Sequence, residues 1–296
     1  MHSLFAILAA AVCFAASTAR AEPLRVMVSI EPQKYFVEKI AGPLVRAEVM
    51  APPGADVHTY EPKPSRMVKV AGAVLYFAQG VDFERTWLPR LARNSKDMVV
   101  VDTLAGVDML PLSGGHGDGH GHKEEGKGAH GRDSLDPHVW TSPRIARILA
   151  ANIAMALVKA DPANEPVYRA NLAAFEAEAE ALDARIRDIL RDVPPGSEFI
   201  VFHPAWAYFA RDYGLKEVTI ESGGREPGPR QLAELIEHAR ETRAKVVFVQ
   251  PQFSKKAAQT VASAIGARLV EADPLAGDWP GNLAAMAQAL AEALRP

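Results

Sequence analysis

The sequence predicts an α/β protein built from two lobes of similar size that one long helix joins. Three observations carry this prediction. In each half of the chain, short runs rich in β-branched residues alternate with helical stretches, which is typical of parallel βαβ units. Between the halves lies a long charged segment with one apolar stripe at helical spacing. The second half then repeats the strand and helix order of the first.

The first half contains four predicted strands and one clear helix. Each strand is a short, mostly apolar run bounded by glycine, proline or polar residues. The helix covers residues 32–40, where Gly42-Pro43 stops it. The strands cover residues 25–30, 47–50, 73–78 and 98–101. With the helix that follows them, they form a predicted N-terminal lobe over residues 22–163.

Two further helices are predicted after this sheet. Ser142 and Pro143 are favourable at a helix N-cap and first helical position, so a helix begins there and runs to about residue 159. Asp161-Pro162 breaks the pattern. A second helix then covers residues 164–191, with apolar residues spaced alternately by three and four. At ~1.5 Å per residue this linking helix is on the order of 40 Å long, enough to cross a small domain.

The C-terminal lobe, residues 192–296, has four more predicted strands. They cover residues 198–202, 217–220, 245–249 and 268–270, with helices at 230–242 and 254–265 between them. Ligands of open α/β sheets collect at the carboxyl ends of the strands. The cleft between the two lobes is therefore the expected ligand site.

The N-terminus predicts a secretory signal peptide over residues 1–21. Residues 4–16 are almost entirely apolar, and Ala19-Arg20-Ala21 gives an Ala-x-Ala cleavage pattern before Glu22. Such a run is too short to span a bilayer as a mature helix. We therefore expect cleavage after Ala21, a periplasmic mature chain and no direct membrane anchor.

Composition narrows the kinds of partner and of metal ligand. A formal net charge of -3 over 296 residues gives no sign that nucleic acid or an anionic membrane surface is a partner. The single cysteine, Cys13, lies inside the predicted signal peptide. The mature chain would therefore have no thiol, and any metal site must use His, Asp and Glu side chains.

Three histidines lie at or just beyond predicted strand ends, or in the loop before a helix. His58 follows the second strand, His138 precedes the next helix, and His203 ends the first strand of the second lobe. Asp273 stands at the carboxyl end of the last strand. Three imidazoles with one carboxylate or water form a common zinc ligand set, with Zn–N distances of ~2.0–2.1 Å.

A glycine-rich tract carries four further histidines. Residues 113–132 are too rich in glycine and too poor in apolar residues to pack, so they predict a mobile surface loop. Histidine-rich tracts are typical of metal binding. A secondary metal site is therefore predicted at His116, His120, His122 and His130. It should be weaker than a preorganised pocket, because ordering a flexible loop costs conformational entropy.

Each of these residues also has an ordinary structural interpretation. A lone histidine at a strand end is more often a hydrogen-bonded surface residue, Asp273 can be a turn residue or N-cap before Pro274, and the tract can reflect linker composition. The joint placement of three histidines at equivalent positions of an α/β scaffold favours a metal site. His238, the remaining histidine outside the tract and the signal peptide, lies in a charged helix and is expected at the surface.

The motifs around these histidines resemble those of the periplasmic metal-binding (cluster A-I, or cluster 9) components of ABC importers, most closely their zinc-binding branch. The resemblance covers the chain from Val26 to the C-terminus. Its motifs are Pro-x-Gly-Ala-Asp-x-His at His58, Asp-Pro-His-Val-Trp at His138, Phe-His-Pro-Ala at His203, Glu-Pro-Gly-Pro-x-Gln-Leu from Glu226, and Pro251-Gln252-Phe253.

The resemblance implies two Rossmann-like lobes, a single backbone helix between them and a Zn²⁺ ion at the lobe interface. It implies a monomer that delivers zinc to a membrane permease with a cytoplasmic ATPase, and that is not an enzyme. His58, His138 and His203 match the three ligand positions of the family. Asp273 matches the place of a fourth, carboxylate ligand. The manganese and iron branch typically has glutamate where His203 stands, and imidazole there favours zinc over manganese.

Other functions stay open at this point. The main alternative of another class is a secreted zinc hydrolase, because three imidazoles plus an open position also form a catalytic zinc set. A hydrolase needs a general base, and the sequence contains no His-Glu-x-x-His motif or other paired catalytic motif. A manganese- or iron-binding member of the same family, and a zinc-buffering or adhesion protein with the same fold, are the remaining alternatives.

Overall fold

The computed structural model describes residues 22–95, 97–112, 135–221 and 227–295. Outside the described residues lie the predicted signal peptide (1–21), the glycine-rich tract (within 113–134) and residues 222–226. That tract contains His116, His120, His122 and His130, so their predicted metal site stays a prediction. Within the described ranges, no helix has the length and hydropathy needed to cross a membrane.

The N-terminal lobe is built on a four-stranded parallel sheet. Its strands are β1 (Leu24–Val28), β2 (Val45–Val49), β3 (Leu75–Ala78) and β4 (Val99–Asp102), and its helices are α1 (Glu31–Ala41), α2 (Pro64–Val70) and α3 (Asp82–Asn94). The strands lie side by side in the order β2-β1-β3-β4. The central strand β1 carries consecutive buried apolar residues, as expected for a parallel sheet covered on both faces.

The C-terminal lobe repeats this topology. It contains β5 (Glu198–Val201), β6 (Lys216–Thr219), β7 (Val246–Val249), β8 (Arg268–Glu271) and the helices α6 (Ala207–Tyr213), α7 (Pro229–Glu241), α8 (Lys255–Ile265) and α9 (Trp279–Leu294). The strands are parallel, in the order β6-β5-β7-β8. The predicted repetition of the first half by the second is therefore confirmed. In each sheet the strand order reverses beside the first strand, where ligands of such sheets bind.

Along the chain, two helices lie between the last strand of the first sheet and the first strand of the second. The first, α4 (Pro143–Ala160), begins where Ser142 accepts the backbone N–H of Ile145 as an N-cap. The second, α5 (Glu165–Leu190), is the predicted linking helix and has 26 residues. Its buried residues include Phe175, Ala179, Leu182 and Ile186, which follow the predicted spacing of three and four. The division of the chain into lobes at residues 163 and 192 stays a prediction.

One continuous apolar core joins the two lobes. It runs from the first sheet through α1, α4, α5 and α9 to one face of the second sheet, and a smaller core covers the other face of that sheet. The linking helix α5 packs against α1 of the first lobe and against α9 at the end of the chain. Both lobes are thus anchored on one helix.

A buried carboxyl group closes the carboxyl end of the first sheet. Glu84, on the first turn of α3, is 5% exposed. Its oxygens accept the backbone N–H groups of Gln79 (2.7 Å) and Gly80 (2.8 Å) and the hydroxyl of Ser29. Burial raises the pKa of Glu84 to about 7, against the lowering effect of these hydrogen bonds. The folded protein therefore keeps this proton at pH values where the unfolded chain has lost it.

We expect Glu84 to make the metal-free protein less stable as the pH rises. With an unfolded-state pKa of 4.5, its contribution is complete below about pH 4.5 and is lost as the pH rises to about 7, because the folded state binds more protons in this window. The contribution is at most roughly 3 kcal/mol. Urea unfolding of wild type and Glu84→Gln near pH 5 and pH 7.5 measures it.

The difference between the two proteins isolates Glu84 from the other titrating groups. The stability of wild type relative to Glu84→Gln should be greater at the lower pH and should decline toward neutral pH. A difference that does not change with pH would show that Glu84 is ionised throughout.

Candidate metal centre

Three histidine side chains converge in the cleft between the lobes. One ring nitrogen of each lies within 4.8 Å of the corresponding nitrogens of the other two. The ring centroids are 4.6 Å apart for His58 and His203, 5.3 Å for His138 and His203, and 5.5 Å for His58 and His138. His138 and His203 are buried and His58 is half-buried. The structure thus brings together histidines that are far apart in the sequence.

His58 is placed by a tight loop after β2. Gly54 in this loop has a φ of 80°, a left-handed conformation that glycine adopts without steric cost. Asp56 accepts the backbone N–H of His58 (2.9 Å) through Oδ1 and the hydroxyl of Thr59 (2.8 Å) through Oδ2. Aspartate commonly stabilises turns in this way. The His58 ring therefore projects from a loop that holds its own shape.

His138 is fixed by Asp136, which lies two residues earlier in the segment before α4. Asp136 Oδ1 accepts the backbone N–H of His138 (2.9 Å) and lies 2.7 Å from its Nδ1. Asp136 is itself anchored, because its backbone N–H donates to the carbonyl of Leu110 (2.8 Å) and its carbonyl accepts the hydroxyl of Tyr208 (2.7 Å). Tyr208 belongs to α6, so this anchor crosses from one lobe to the other.

His203 follows β5 and is bracketed by Gln250. The Gln250 amide accepts the backbone N–H of His203 (3.2 Å) and donates to its carbonyl (2.6 Å). The imidazole stacks on Phe253, with centroids 4.8 Å apart and planes at 23°. Its Nδ1 lies 2.9 Å from Glu221 Oε1, and this carboxylate opposes the effect of burial on the pKa of the ring.

A carboxylate faces the outer nitrogen of each ring. Asp136 and Glu221 have been described, and the third is Asp82, whose Oδ2 lies 2.6 Å from Nδ1 of His58. These carboxylates contact Nδ1, the outer nitrogen of each ring. The inner Nε2 atoms of His58 and His203 face each other at a distance of 2.9 Å. Carboxylate–histidine pairs of this kind fix the tautomer and orientation of metal-binding imidazoles and raise their basicity.

The two facing nitrogens require a proton or a cation between them. Two neutral rings with their Nδ1–H groups turned outward would direct two lone pairs at each other. Burial lowers the pKa of His58, but the hydrogen bond and charge of Asp82 outweigh it and the pKa is raised. Burial lowers the pKa of His203 to about 4, against the opposing effect of Glu221. His203 is thus neutral near neutral pH and can accept a hydrogen bond from Nε2 of His58 when that ring is protonated.

Asp273 lies near this cluster without joining it. Its Oδ1 accepts the side-chain N–H of Gln252 (2.8 Å) and the backbone N–H of Leu275 (2.9 Å). Among the described residues, Asp273 is not part of the group whose donor atoms lie within 4.8 Å of one another. Its role as a fourth ligand stays a prediction, as do the ligand roles of the three histidines.

The three carboxylates that face the histidines were not predicted from the sequence. Asp82 begins the helix after β3, and Glu221 comes just after β6. Both therefore lie near the carboxyl end of a strand, where the histidines were sought. Asp136 stands two residues before His138 within a motif that was noted. The sequence positions of these carboxylates could therefore have indicated them. The pairing of each carboxylate with a particular ring could not be predicted, because it depends on the strand order.

Replacing Asp136 by asparagine is expected to weaken metal binding by about 10- to 100-fold, the usual effect of losing such a partner. Asparagine keeps the size and one acceptor oxygen but lacks the negative charge that faces Nδ1 of His138. Titration against a competing chelator measures the change. The matched control is Glu198→Gln, which alters the exposed pair with His238 (2.9 Å) and should leave affinity unchanged. Unaltered affinity in Asp136→Asn would show that this contact does not support the metal.

The fold and the site together define a class of protein. Two α/β lobes on a shared helix, with a buried imidazole cluster in the cleft, are typical of a two-lobed receptor for a small ligand, and here the ligand groups suit a metal ion. The family model described as zinc-uptake complex component A, periplasmic, matches residues 26–293. The chain belongs to this family, the cluster A-I metal-binding substrate-binding proteins of ABC importers, which work with a membrane permease and an ATPase.

Relatives in this family carry the names of different metals. The iron-binding protein YfeA of Yersinia pestis is 31% identical over 264 residues, which are 87% of this chain and 80% of that protein. The high-affinity zinc uptake system protein ZnuA of Bacillus subtilis is 30% identical over 267 residues, with the same coverage of 87% and 80%. A crystal structure of ZnuA is 41% identical with a TM-score of 0.83, and the match covers 92% of this chain and 99% of that one. The predicted family is confirmed, and the particular metal is a separate question.

Proposed function

We propose that this chain captures Zn²⁺ in the periplasm with high affinity and delivers it to the permease of an ABC importer. The observation that carries the proposal is the cluster of His58, His138 and His203, three imidazoles from separate parts of the chain whose outer nitrogens all face carboxylates. Three nitrogen ligands leave one position of a tetrahedral ion for a carboxylate or water. Zinc is the cargo, so the site must bind it reversibly.

The donor set supports zinc over manganese. Imidazole suits borderline-soft ions, whereas carboxylate and water oxygens suit Mn²⁺. The carboxylates of Asp82, Asp136 and Glu221 contact the outer ring nitrogens of the histidines. Both oxygens of Asp56 accept hydrogen bonds within the loop of His58. Tetrahedral zinc would hold two nitrogens about 3.3 Å apart, given Zn–N bonds of ~2.0–2.1 Å. The observed 2.9 Å between His58 and His203 therefore needs to widen only by a few tenths of an ångström.

The site offers little support for a zinc hydrolase. The histidines line a cleft with an empty volume of ≈ 260 Å³. Among the described residues that line it, the one carboxylate is Asp56, and both of its oxygens already accept hydrogen bonds. A general base must instead be placed to take a proton from the reacting water. Binding and release, without chemistry on a substrate, fit this lining better.

The periplasmic location and the delivery step rest on different support. The predicted cleavage after Ala21 and the family description both point to the periplasm. Importers of this class take their ion from a binding protein outside the membrane, so the buried cluster would have to open at the permease. Of the three rings, the half-buried His58 is the most accessible from outside the cleft.

Metal titration of the mature chain, residues 22–296, tests the proposal. Zinc, manganese and ferrous iron are titrated separately against chelators of known affinity, and the bound metal is checked by elemental analysis. We expect one tight zinc in the cleft and much weaker manganese, because three of the four ligands of a tetrahedral ion would be imidazole nitrogens. Equal or tighter binding of manganese or ferrous iron would overturn the choice of metal. Loss of all tight binding would overturn the receptor function itself.

A further inference from the structure

A tryptophan next to the metal cluster makes two hydrogen bonds that cross between segments of the fold. Trp140 lies two residues after His138 and is 0% exposed. Its indole N–H donates to the carbonyl of Pro274 (2.7 Å), and its own carbonyl accepts the indole N–H of Trp279 (2.7 Å). Trp140 belongs to the segment before α4, whereas Pro274 lies in the loop between β8 and α9 and Trp279 begins α9.

The first of these bonds holds the wall of the metal cleft. Pro274 and Leu275 line the cleft together with the three histidines. Proline has no backbone N–H, so its carbonyl is the only polar group by which Pro274 can be held. The indole N–H of Trp140 donates to that carbonyl. The preceding residue, Asp273, is held from the other side, where its carbonyl accepts the side-chain N–H of Asn282 (2.8 Å).

The second bond ties Trp140 into the core that joins the lobes. Trp279 packs against Phe36 of α1 (5.1 Å between centroids, 83° between planes) and Phe175 of α5 (5.9 Å). The Trp140 ring also contacts His138, with centroids 5.3 Å apart. Trp140 therefore connects a cluster histidine and the cleft wall through its indole ring, and the shared core through its backbone carbonyl.

We propose that Trp140 is a positioning residue that controls how fast the bound metal is released. It clamps the wall at Pro274 and Leu275 against the histidine segment, so that the ion leaves only when this hydrogen bond opens. The inference rests on the proposed function, because it concerns the same cleft. Removing the indole N–H leaves the buried Pro274 carbonyl without its donor and frees the wall, which should speed zinc release by about tenfold.

The chain offers a matched control for this experiment. Trp206 is also 0% exposed, but its indole N–H has no hydrogen-bond acceptor among the described residues. Trp140→Phe and Trp206→Phe therefore remove the same volume from buried sites, and only the first removes a hydrogen bond. Both full-length mature variants are loaded with zinc and mixed with excess chelator in a stopped-flow instrument. Melting temperatures of the metal-free forms are recorded in parallel.

The expected result is about tenfold faster zinc release from Trp140→Phe, with Trp206→Phe close to wild type. Equal release rates in Trp140→Phe and wild type, whatever the melting temperatures, would reduce Trp140 to a structural residue and overturn the proposal. Equal acceleration in both variants would do the same, because it would trace the effect to lost volume. Wild-type chain that binds no zinc would instead overturn the proposed function, and the clamp with it.

An isosteric replacement covers the case in which Trp140→Phe does not fold. Benzothienylalanine, a tryptophan analogue with sulfur in place of the indole N–H, is incorporated at position 140 of the mature chain. It keeps the ring shape and removes only the donor. Faster zinc release from this protein at an unchanged melting temperature of the metal-free form supports the clamp. Wild-type release from it overturns the clamp.

Discussion

A His138→Ala protein is expected to bind zinc on the order of 100- to 1,000-fold more weakly than wild type. Structural zinc sites bind with roughly 10–16 kcal/mol at neutral pH. If four ligands share that free energy, one contributes about 2.5–4 kcal/mol, and each 1.4 kcal/mol is about a factor of ten. His138 is the most buried of the three histidines, at 2% exposure. Its loss should therefore be the least well replaced by water.

Removing His138 also exposes a difficulty that the experiment must handle. Asp136 is 0% exposed, and without the imidazole its buried charge loses a partner, which destabilises the fold. The double variant Asp136→Asn/His138→Ala relieves this charge and keeps the loss of the ligand. His238→Ala, on the exposed face of α7, is the matched control and should bind zinc as wild type does. Chelator competition and metal-free melting temperatures are measured for all three proteins.

A particular pattern supports the ligand role of His138. Zinc affinity should be low in both proteins that lack His138, even where the double variant regains stability. If the double variant regains both stability and zinc affinity, His138 acts through the fold and is not a ligand.

The strands and the linking helix could be predicted because their signals are local. The apolar stripe of α5 and the cap at Ser142 lie within short windows of sequence, and the helices begin within a residue of the predicted positions. Four helices, α2, α3, α6 and α9, were not predicted. Helix α3 contains Pro89, which by itself indicates a break. Helix α9 is apolar over most of its surface, because it packs on α5 in the shared core, so it lacks a clear amphipathic stripe.

The candidate site also has one part that could be predicted from the sequence and one part that could not. His58, His138 and His203 could be chosen from sequence, because the carboxyl ends of parallel strands meet along one edge of a sheet. The pairing of Asp82 with His58 joins a helix start after β3 to a loop after β2. That pairing follows from tertiary structure, since β1 lies between those two strands. The bond from Trp140 to Pro274 spans 134 residues, and no local pattern indicates it.

Zinc affinity is expected to fall by about tenfold per pH unit once the pH drops below the pKa of His58. Zinc needs the neutral ring, and the raised pKa of His58 means that a proton occupies the inner nitrogens at mildly acidic pH. Binding must release that proton, so lower pH weakens binding. His203, whose pKa is lowered to about 4, stays neutral over this range and adds no further slope. Calorimetric titration in buffers of different ionisation enthalpy counts the released protons directly.

Asp82→Asn separates this mechanism from general acid destabilisation. The hydrogen bond and charge of Asp82 are what raise the pKa of His58 against burial. Without that charge the pKa of His58 falls, so the loss of zinc affinity should begin at a lower pH and proton release near neutral pH should decrease. At higher pH the variant should bind zinc more weakly than wild type, because a less basic imidazole is a poorer ligand. Zinc affinity that is flat between about pH 7.5 and 5.5 in wild type would contradict histidine ligation altogether. An identical pH profile in wild type and Asp82→Asn would place the titrating proton on a group other than His58.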